Sequence, residues 1–296
     1  MKQCFTIGIS TRALFDLEKE HQIFVEEGVS RYVDYQIAHE KDILRPGPAF
    51  ALIQAFLGLN KISDERQIEV VIMSKNSADA SLRIFHSIEH YGLDITRAAL
   101  TTGAPIAPYL EAYGVDLYLS FSDEDVKAAL ECGVAAGLLL PGETVCRQSI
   151  SQIRIAFDGD AVLFSPEAEV VFLRHGKEAF CSSEKEKARI PLAPGPFAHV
   201  LRLIAQMQRE ASEEEMPIRT ALVTARSAPA HERVIRTLQA WGVRIDEAFF
   251  LGGMDKSQVL QAFGAHIFFD DNEHNTKSAS KVVLSARVPV SLERAG

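Results

Sequence analysis

Positive charge is in short supply in this sequence. Against 40 Asp+Glu the 296-residue chain sets 31 Lys+Arg, a formal net charge of −9. Nucleic acid and anionic membranes are therefore disfavoured as main partners, because both demand clustered cations. Cysteine is equally sparse. Cys4, Cys132, Cys146 and Cys181 are dispersed and form no C-x-x-C pair, so neither a zinc site nor a disulfide framework is supported, and reduced cytoplasmic thiols are expected. Long apolar runs are missing too. The longest, Val134–Leu140, is far short of the ~20 residues that span a bilayer. The opening stretch reaches polar Ser10-Thr11-Arg12 too soon for the apolar centre of a signal peptide. These absences predict a soluble, cytoplasmic protein. What remains is 47% hydrophobic and 24% charged, the balance of a globular chain of one large or two ordinary domains.

The sequence repeats itself. Val71–Ser122 aligns without a gap on Ala221–Asn272, with eleven identities in 52 positions. Among them are Ser77/Ser227, Arg83/Arg233, Gly92/Gly242, Gly103/Gly253 and Gly114/Gly264. Upstream, Ile7–Phe15 lines up with Ile155–Leu163. Each half reads as a buried strand (5–9; 153–157), a helix-rich insertion, a second strand (68–73; 219–223) and a helix (77–91; 228–241). A short strand (97–100; 247–250), a helix (106–113; 256–263) and a third strand (115–119; 265–269) follow. Apolar runs of four to six residues alternating with helices indicate parallel strands covered on both faces. Gly92 and Gly242 stand where left-handed helix ends are expected. The predicted fold is α/β, a tandem pair of doubly wound Rossmann-like units. The boundary is placed in the turn-rich Pro141–Ser149, giving domains 1–145 and 146–296.

Ligands of open α/β sheets bind beyond the carboxyl ends of the strands, and there the halves diverge. After the first strand Asp158-Gly159-Asp160 faces Ser10-Thr11-Arg12. After the second, Thr224 faces Ser74. Lys256 faces Ile106 at a helix start, and Asp270-Asp271 faces Ser120-Phe121 after the third strand. Asp-Gly between apolar runs is also a hairpin signal, and Val162 excludes an EF-hand loop, which needs an oxygen ligand there. The adjacent acids Asp270-Asp271 at a buried strand end tip the balance. Such a pair is costly unless a cation neutralises it. Four carboxylates with one lysine and one threonine describe a Mg²⁺ site facing a phosphate pocket.

The stretches Phe157-Asp-Gly-Asp-Ala-Val-Leu-Phe164, Leu222-Val-Thr-Ala-Arg-Ser227, Lys256 and Phe268-Phe-Asp-Asp271 resemble the four motifs of the haloacid-dehalogenase superfamily. With Ile9-Ser-Thr-Arg-Ala-Leu-Phe15, His90-Tyr-Gly, Gly195-Pro196 and Trp241-Gly242, the whole chain resembles the cytosolic 5′-nucleotidase type I family. The resemblance implies Mg²⁺-dependent hydrolysis of nucleoside 5′-monophosphates, AMP-like, in the second of two haloacid-dehalogenase-like units. Asp158 would be the nucleophile, forming an aspartyl-phosphate, and Asp160 the general acid and then base. Thr224 and Lys256 would hold phosphate oxygens, with Ala225, Arg226 and Phe180 at the substrate. Asp158, Asp160, Asp270 and Asp271 would hold Mg²⁺. Two other readings stay open: a phosphatase for another small phosphomonoester such as a sugar phosphate, and a nucleotide-binding regulator without turnover. A homo-oligomer is left open as well.

Several residues carry two readings. Arg226 is a substrate contact or a surface arginine at a helix start. His231 and His274 read as solvated or packed, Trp241 as core, Glu213–Glu215 as a solvated helix end, and Asn272 as a neighbour of the site. The insertion at about 165–217 is expected to cap the second unit, with Phe172, Phe180 and Phe197 contacting the nucleoside or packing inside the cap. The first half lacks the acids and is expected to be catalytically silent. It then serves either as a rigid support or as an anion pocket built from Ser10, Thr11, Arg12, Ser74 and Asn76, free of any competing acid.

Overall fold

The structure, a computed structural model, describes residues 4–62, 65–141, 150–210 and 217–290. The chain falls into two compact units, Met1–Ala136 with Cys146–Ile150, and Gly137–Val145 with Ser151–Gly296. The expected boundary at 145/146 and the Glu213–Glu215 run lie outside the described residues.

In the first unit the parallel strands β1 (Phe5–Ile9), β2 (Ile68–Ser74), β3 (Arg97–Leu100) and β4 (Leu117–Ser120) lie in the order β3-β2-β1-β4. The helix Asp123–Glu131 then leads to β5 (Ala135–Leu139). The second unit has β6 (Ile153–Phe157), β7 (Ile218–Thr224), β8 (Glu247–Phe250), β9 (Ile267–Asp270) and β10 (Leu284–Arg287) in the order β10-β9-β6-β7-β8. These are parallel, while Leu138 and Leu139 pair antiparallel with β10. Apolar runs buried on both faces explain the parallel pairing. All five residues of β1 are buried, as are four of five in β6. The mixed α/β expectation stands. The β5 and β10 segments were not foreseen as strands: Val134–Leu140 reads as a generic apolar run, and Leu284–Arg287 is too short and mixed to announce itself.

The register repeats between the units. Ile7 lies opposite Val70 and Leu117, and Ile155 opposite Thr220 and Ile267. Val71 pairs with Arg97, and Ala221 with Glu247. Each sheet reverses its strand order beside its first strand, between β1 and β4 and between β6 and β9, the place where such sheets open a crevice. Asp-Gly at 158–159 therefore makes no hairpin; β6 has only parallel neighbours.

The insertion between β6 and β7 contains two different things. The helix Ala198–Glu210 belongs to the layer on the sheet: Phe197, fully buried, contacts Phe157 and Phe269, and Gln208 Nε2 donates to Ile218 O. Phe197 is thus sheet core. The segment Glu167–Glu186 is a pair of helices broken at Gly176, where φ is 79°. The first unit shows the same break at Gly28, φ 87°, between Glu18–Glu27 and Val29–Ala38. Trp241 is half-buried rather than core, its ring tilted against Phe164 at 5.5 Å where Tyr91 stacks on Phe15 at 6.2 Å.

The loop after β6 is clamped by Gly195. Its N–H donates to Leu163 O at 2.8 Å, and a Cβ there would lie 2.5 Å from both Phe164 O and Val162 O. Gly195→Ala should cost about 1–3 kcal/mol through forced backbone displacement. Gly92→Ala, at φ 61° in open space, should cost only about 1 kcal/mol. Urea denaturation reads both, and a neutral Gly195→Ala would contradict the clamp.

Candidate active site

Open parallel sheets form a crevice at their carboxyl ends beside the switch point, and the switch between β6 and β9 collects the acids. Asp158 follows β6 and Asp270 closes β9. Asp158 N donates to Phe269 O at 2.8 Å, which ties the two strand ends together. Lys256, buried at the start of the helix Ser257–Phe263, reaches between them. Its Nζ donates to Asp158 Oδ1 and to Asp270 Oδ2, at 2.6 Å each. Carboxylate oxygens of Asp158, Asp270 and Asp271 lie within 4.8 Å of one another. Asp160 stands outside this cluster. Thr224, buried at the end of β7, presents Oγ1 beside Gly159, and its Oγ1 accepts from Arg226 N at 3.2 Å.

The sequence gives two readings of Arg226, and the surface one is wrong. Arg226 is buried and grips Asp160 with two bonds, Nε to Oδ2 at 2.7 Å and Nη2 to Oδ1 at 2.6 Å. Its Nη1 donates to Glu184, which also accepts from Arg233 Nη1 at 2.7 Å; Arg233 Nη2 reaches Glu167 at 2.6 Å. Phe180 lies 5.4 Å from the Arg226 guanidinium, and Phe172 meets Phe180 edge to face at 6.0 Å. Phe172 remains 46% exposed, so this aromatic pair borders open space instead of filling a core.

Other expected residues resolve as follows. Ala225 is exposed beside Thr224. Asn272 caps the helix Glu273–Ala279, accepting from His274 N and Asn275 N, and its own N–H donates to Asp270 Oδ1 at 2.8 Å. His274 is solvated, and His231 is half-buried against Phe250. Three site residues escape sequence reasoning. Asn275 Nδ2 donates to Asp270 at 3.2 and 3.3 Å. Glu184 lies in a charged helix with no pattern to mark it. Glu169 has a buried Oε2 without a hydrogen-bond partner, and the charges of Asp160 and Asp270 add to burial in raising its pKa.

Crowding shapes the electrostatics. Burial, with Asp270 adding to it and Lys256 opposing, pushes Asp158 up to about 7. Burial and the charges of Asp158, Glu169 and Asp270 push Asp271 up to about 9. Burial alone would lower Lys256, but Asp158 and Asp270 outweigh it and raise it. One buried ammonium thus contacts two carboxylates and acts on the third, Asp271, only through space, too weakly to offset its burial and its acidic neighbours. An oxygen-only donor set with surplus negative charge suits a hard divalent cation.

The 5′-nucleotidase family model matches residues 1–295. The chain belongs to the 5′-nucleotidase family. It is 38% identical over 292 residues to human cytosolic 5′-nucleotidase 1B, covering 95% of this chain and 48% of that one. The chain therefore spans about half the length of this curated relative. Among solved structures, histidinol dehydrogenase from Elizabethkingia anophelis has 11% identity and a TM-score of 0.24, over 96% of this chain and 52% of that one. A likeness that low carries no argument. No helix among the described residues is long and apolar enough to cross a membrane.

Two outcomes follow for this family member. A carboxyl whose folded pKa lies above its unfolded value of about 3.9 binds extra protons when folded, so stability falls as pH rises between the two values. For Asp158 and Asp271 that window runs from about 4 to about 9. Metal-free protein should lose stability across it, and Asp271→Asn should flatten the slope and gain at least ~1 kcal/mol at pH 8. A destabilised Asp271→Asn would contradict the crowding. Glu184→Ala, which deprives two buried guanidiniums of their shared partner, should cost about 3 kcal/mol in the same denaturation assay.

Proposed function

We propose that the chain hydrolyses nucleoside 5′-monophosphates, AMP-like, to nucleoside and phosphate, by haloacid-dehalogenase chemistry with Asp158 as nucleophile. The observation that carries this reading is the Asp158–Lys256–Asp270 chain of 2.6 Å contacts at the sheet's switch point, with Asp271 beside it, in a member of the 5′-nucleotidase family. The human relative, a cytosolic 5′-nucleotidase by name, points the same way.

Lys256 occupies Asp158 Oδ1, which fixes the carboxylate and leaves Oδ2 for attack on phosphorus. The new P–O bond gives an aspartyl-phosphate as the P–O5′ bond breaks, and Asp160 gives a proton to the departing ribose oxygen. Asp160 then takes a proton from the water that cleaves the acyl-phosphate. To do so it must exchange one of its two Arg226 contacts, so Arg226 governs when the acid is free. Lys256 Nζ and the Thr224 hydroxyl donate to non-bridging phosphate oxygens. The Glu167–Glu186 helices act as the cap, and Phe172 and Phe180 offer the base an aromatic surface.

Mg²⁺ fits the residues present. Asp158, Asp270 and Asp271 would hold it, with Glu169 facing the same space, and its charge would offset repulsion between an anionic nucleophile and an anionic substrate. Asp160, bound by Arg226 and outside the acid cluster, serves as acid–base and is not needed as a ligand.

A phosphate-release screen over nucleoside monophosphates and sugar phosphates, with and without Mg²⁺, tests the reading. Release from AMP should require Mg²⁺. Asp158→Asn should abolish it with the fold intact, and Asp160→Asn should slow it by roughly 10²–10⁴-fold. Sugar phosphates turning over in preference to nucleotides would shift the substrate class. No turnover of any monophosphate would sink the hydrolase reading.

A further inference from the structure

The first unit has a cavity of about 670 Å³ at the carboxyl ends of its strands, and all five residues expected to form an anion pocket, Ser10, Thr11, Arg12, Ser74 and Asn76, line it. It occupies, within its own unit, the place the acids occupy in the second. Ser10 follows β1 as Asp158 follows β6, and Arg12 stands where Asp160 stands. Ser74 Oγ accepts from Asn76 N at 3.1 Å as Thr224 Oγ1 accepts from Arg226 N at 3.2 Å. Ser120 Oγ accepts from Ser122 N at 3.1 Å as Asp270 Oδ1 accepts from Asn272 N at 2.8 Å. Even the aromatic pair recurs: Phe24 meets Tyr32 edge to face at 6.0 Å and 85°, against 6.0 Å and 88° for Phe172 and Phe180. Both Phe24 and Tyr32 line the cavity.

Several donors here are left over. Ser10 Oγ and Arg12 Nε are buried without a hydrogen-bond partner, while Arg12 Nη2 donates to the exposed Glu18 Oε1 at 2.8 Å. Asn76 Nδ2 and Ser77 Oγ make no hydrogen bond of good geometry, although the Tyr32 hydroxyl and the Asp79 carboxylate interact with them. Buried donors without partners are costly, and a ligand that accepts from them recovers the loss. The expectation of no acid needs correcting, since Glu20 and Asp125 also line the cavity. Each is already neutralised, Glu20 by Arg83 Nη1 at 2.6 Å and Asp125 by Lys75 Nζ at 2.7 Å. Lys75, absent from the five residues expected there, thereby stands at the cavity wall. Among the described residues the only acid cluster with metal-binding spacing is that of the second unit.

We infer that this cavity is a second, metal-independent binding site for a phosphate monoester carried on a flat ring, a nucleoside monophosphate held without hydrolysis. The phosphate lies against Ser10, Arg12 and Asn76, and the ring lies between the Phe24–Tyr32 pair and apolar Leu17, Val29 and Val33. Without a carboxylate at position 10 there is no nucleophile, and without acids at 120 and 121 there is no cation site. The choice of a nucleotide rests on the proposed activity; the demand for an anion with an apolar body rests on the cavity alone.

Hydrogen exchange on the full chain carrying Asp158→Asn, in EDTA, tests this with AMP, adenosine and inorganic phosphate as probes. AMP should protect residues 18–38, and its dissociation constant from equilibrium dialysis should rise at least about tenfold in Arg12→Ala. Asn76→Asp, which keeps the shape and adds a negative charge, should do the same with an unchanged circular dichroism spectrum. Adenosine protecting as well as AMP would overturn the anion assignment. No protection of 18–38 by AMP, or binding indifferent to both substitutions, would overturn the site. Phosphate release by the wild-type chain is read alongside. Turnover without protection removes only this site, and protection without turnover removes only the hydrolase reading.

Discussion

Three carboxylates and one ammonium packed into the end of a parallel sheet are the constraint on which the second unit turns. Asp158, Asp270 and Asp271 share space that Lys256 neutralises only in part. A purely structural core would not retain such a group, because replacing buried ions with apolar side chains of similar size is often neutral or stabilising. The arrangement is held in place from outside. Asn275 and the backbone N–H of Asn272 fix Asp270, and the strand pairing of β6 with β9 fixes Asp158. Gly195 closes the backbone of the loop between the two aspartates and the insertion.

A second charged layer lies behind the first. Arg226 connects the acid cluster's neighbour, Asp160, to Glu184, and Arg233 connects Glu184 to Glu167. The helices over the site are therefore bound to the site by ion pairs between buried side chains. The first unit keeps a reduced version. Arg83 holds Glu20 at 2.6 Å and the backbone of Asp42 at 2.8 Å, with Gln36 where the second unit has Glu184. Serine, arginine and phenylalanine replace the acids while the scaffold's hydrogen bonds persist, which separates what the fold needs from what the chemistry needs.

Much of this was legible in the sequence. Buried apolar runs announced eight of the strands, and the repeat located equivalent strand ends. Asp158, Thr224, Lys256, Asp270 and Asp271 then stood out as polar residues where a sheet should stay apolar. What stayed hidden depends on long-range geometry. Leu284–Arg287 becomes a strand because β9 offers it an edge, not because its residues prefer one. Arg226 is ambiguous until Asp160 and Glu184 are seen around it. Asn275, Glu169 and Glu184 are polar residues on helices, and nothing in a periodic pattern distinguishes one that faces a carboxylate from one that faces water. The insertion read as one cap holds both a sheet-covering helix and the aromatic pair, because hydrophobic periodicity reports burial and not the partner.

Everything proposed for the second unit stands on the Asp158 carboxylate taking the phosphoryl group. The most direct measurement is acid quenching of the wild-type chain during turnover of AMP carrying radiolabelled phosphate, followed by peptide mapping. The account predicts acid-stable, hydroxylamine-labile label on the peptide containing Asp158, absent when Mg²⁺ is chelated. Turnover without covalent label, or label on any other residue, would contradict it.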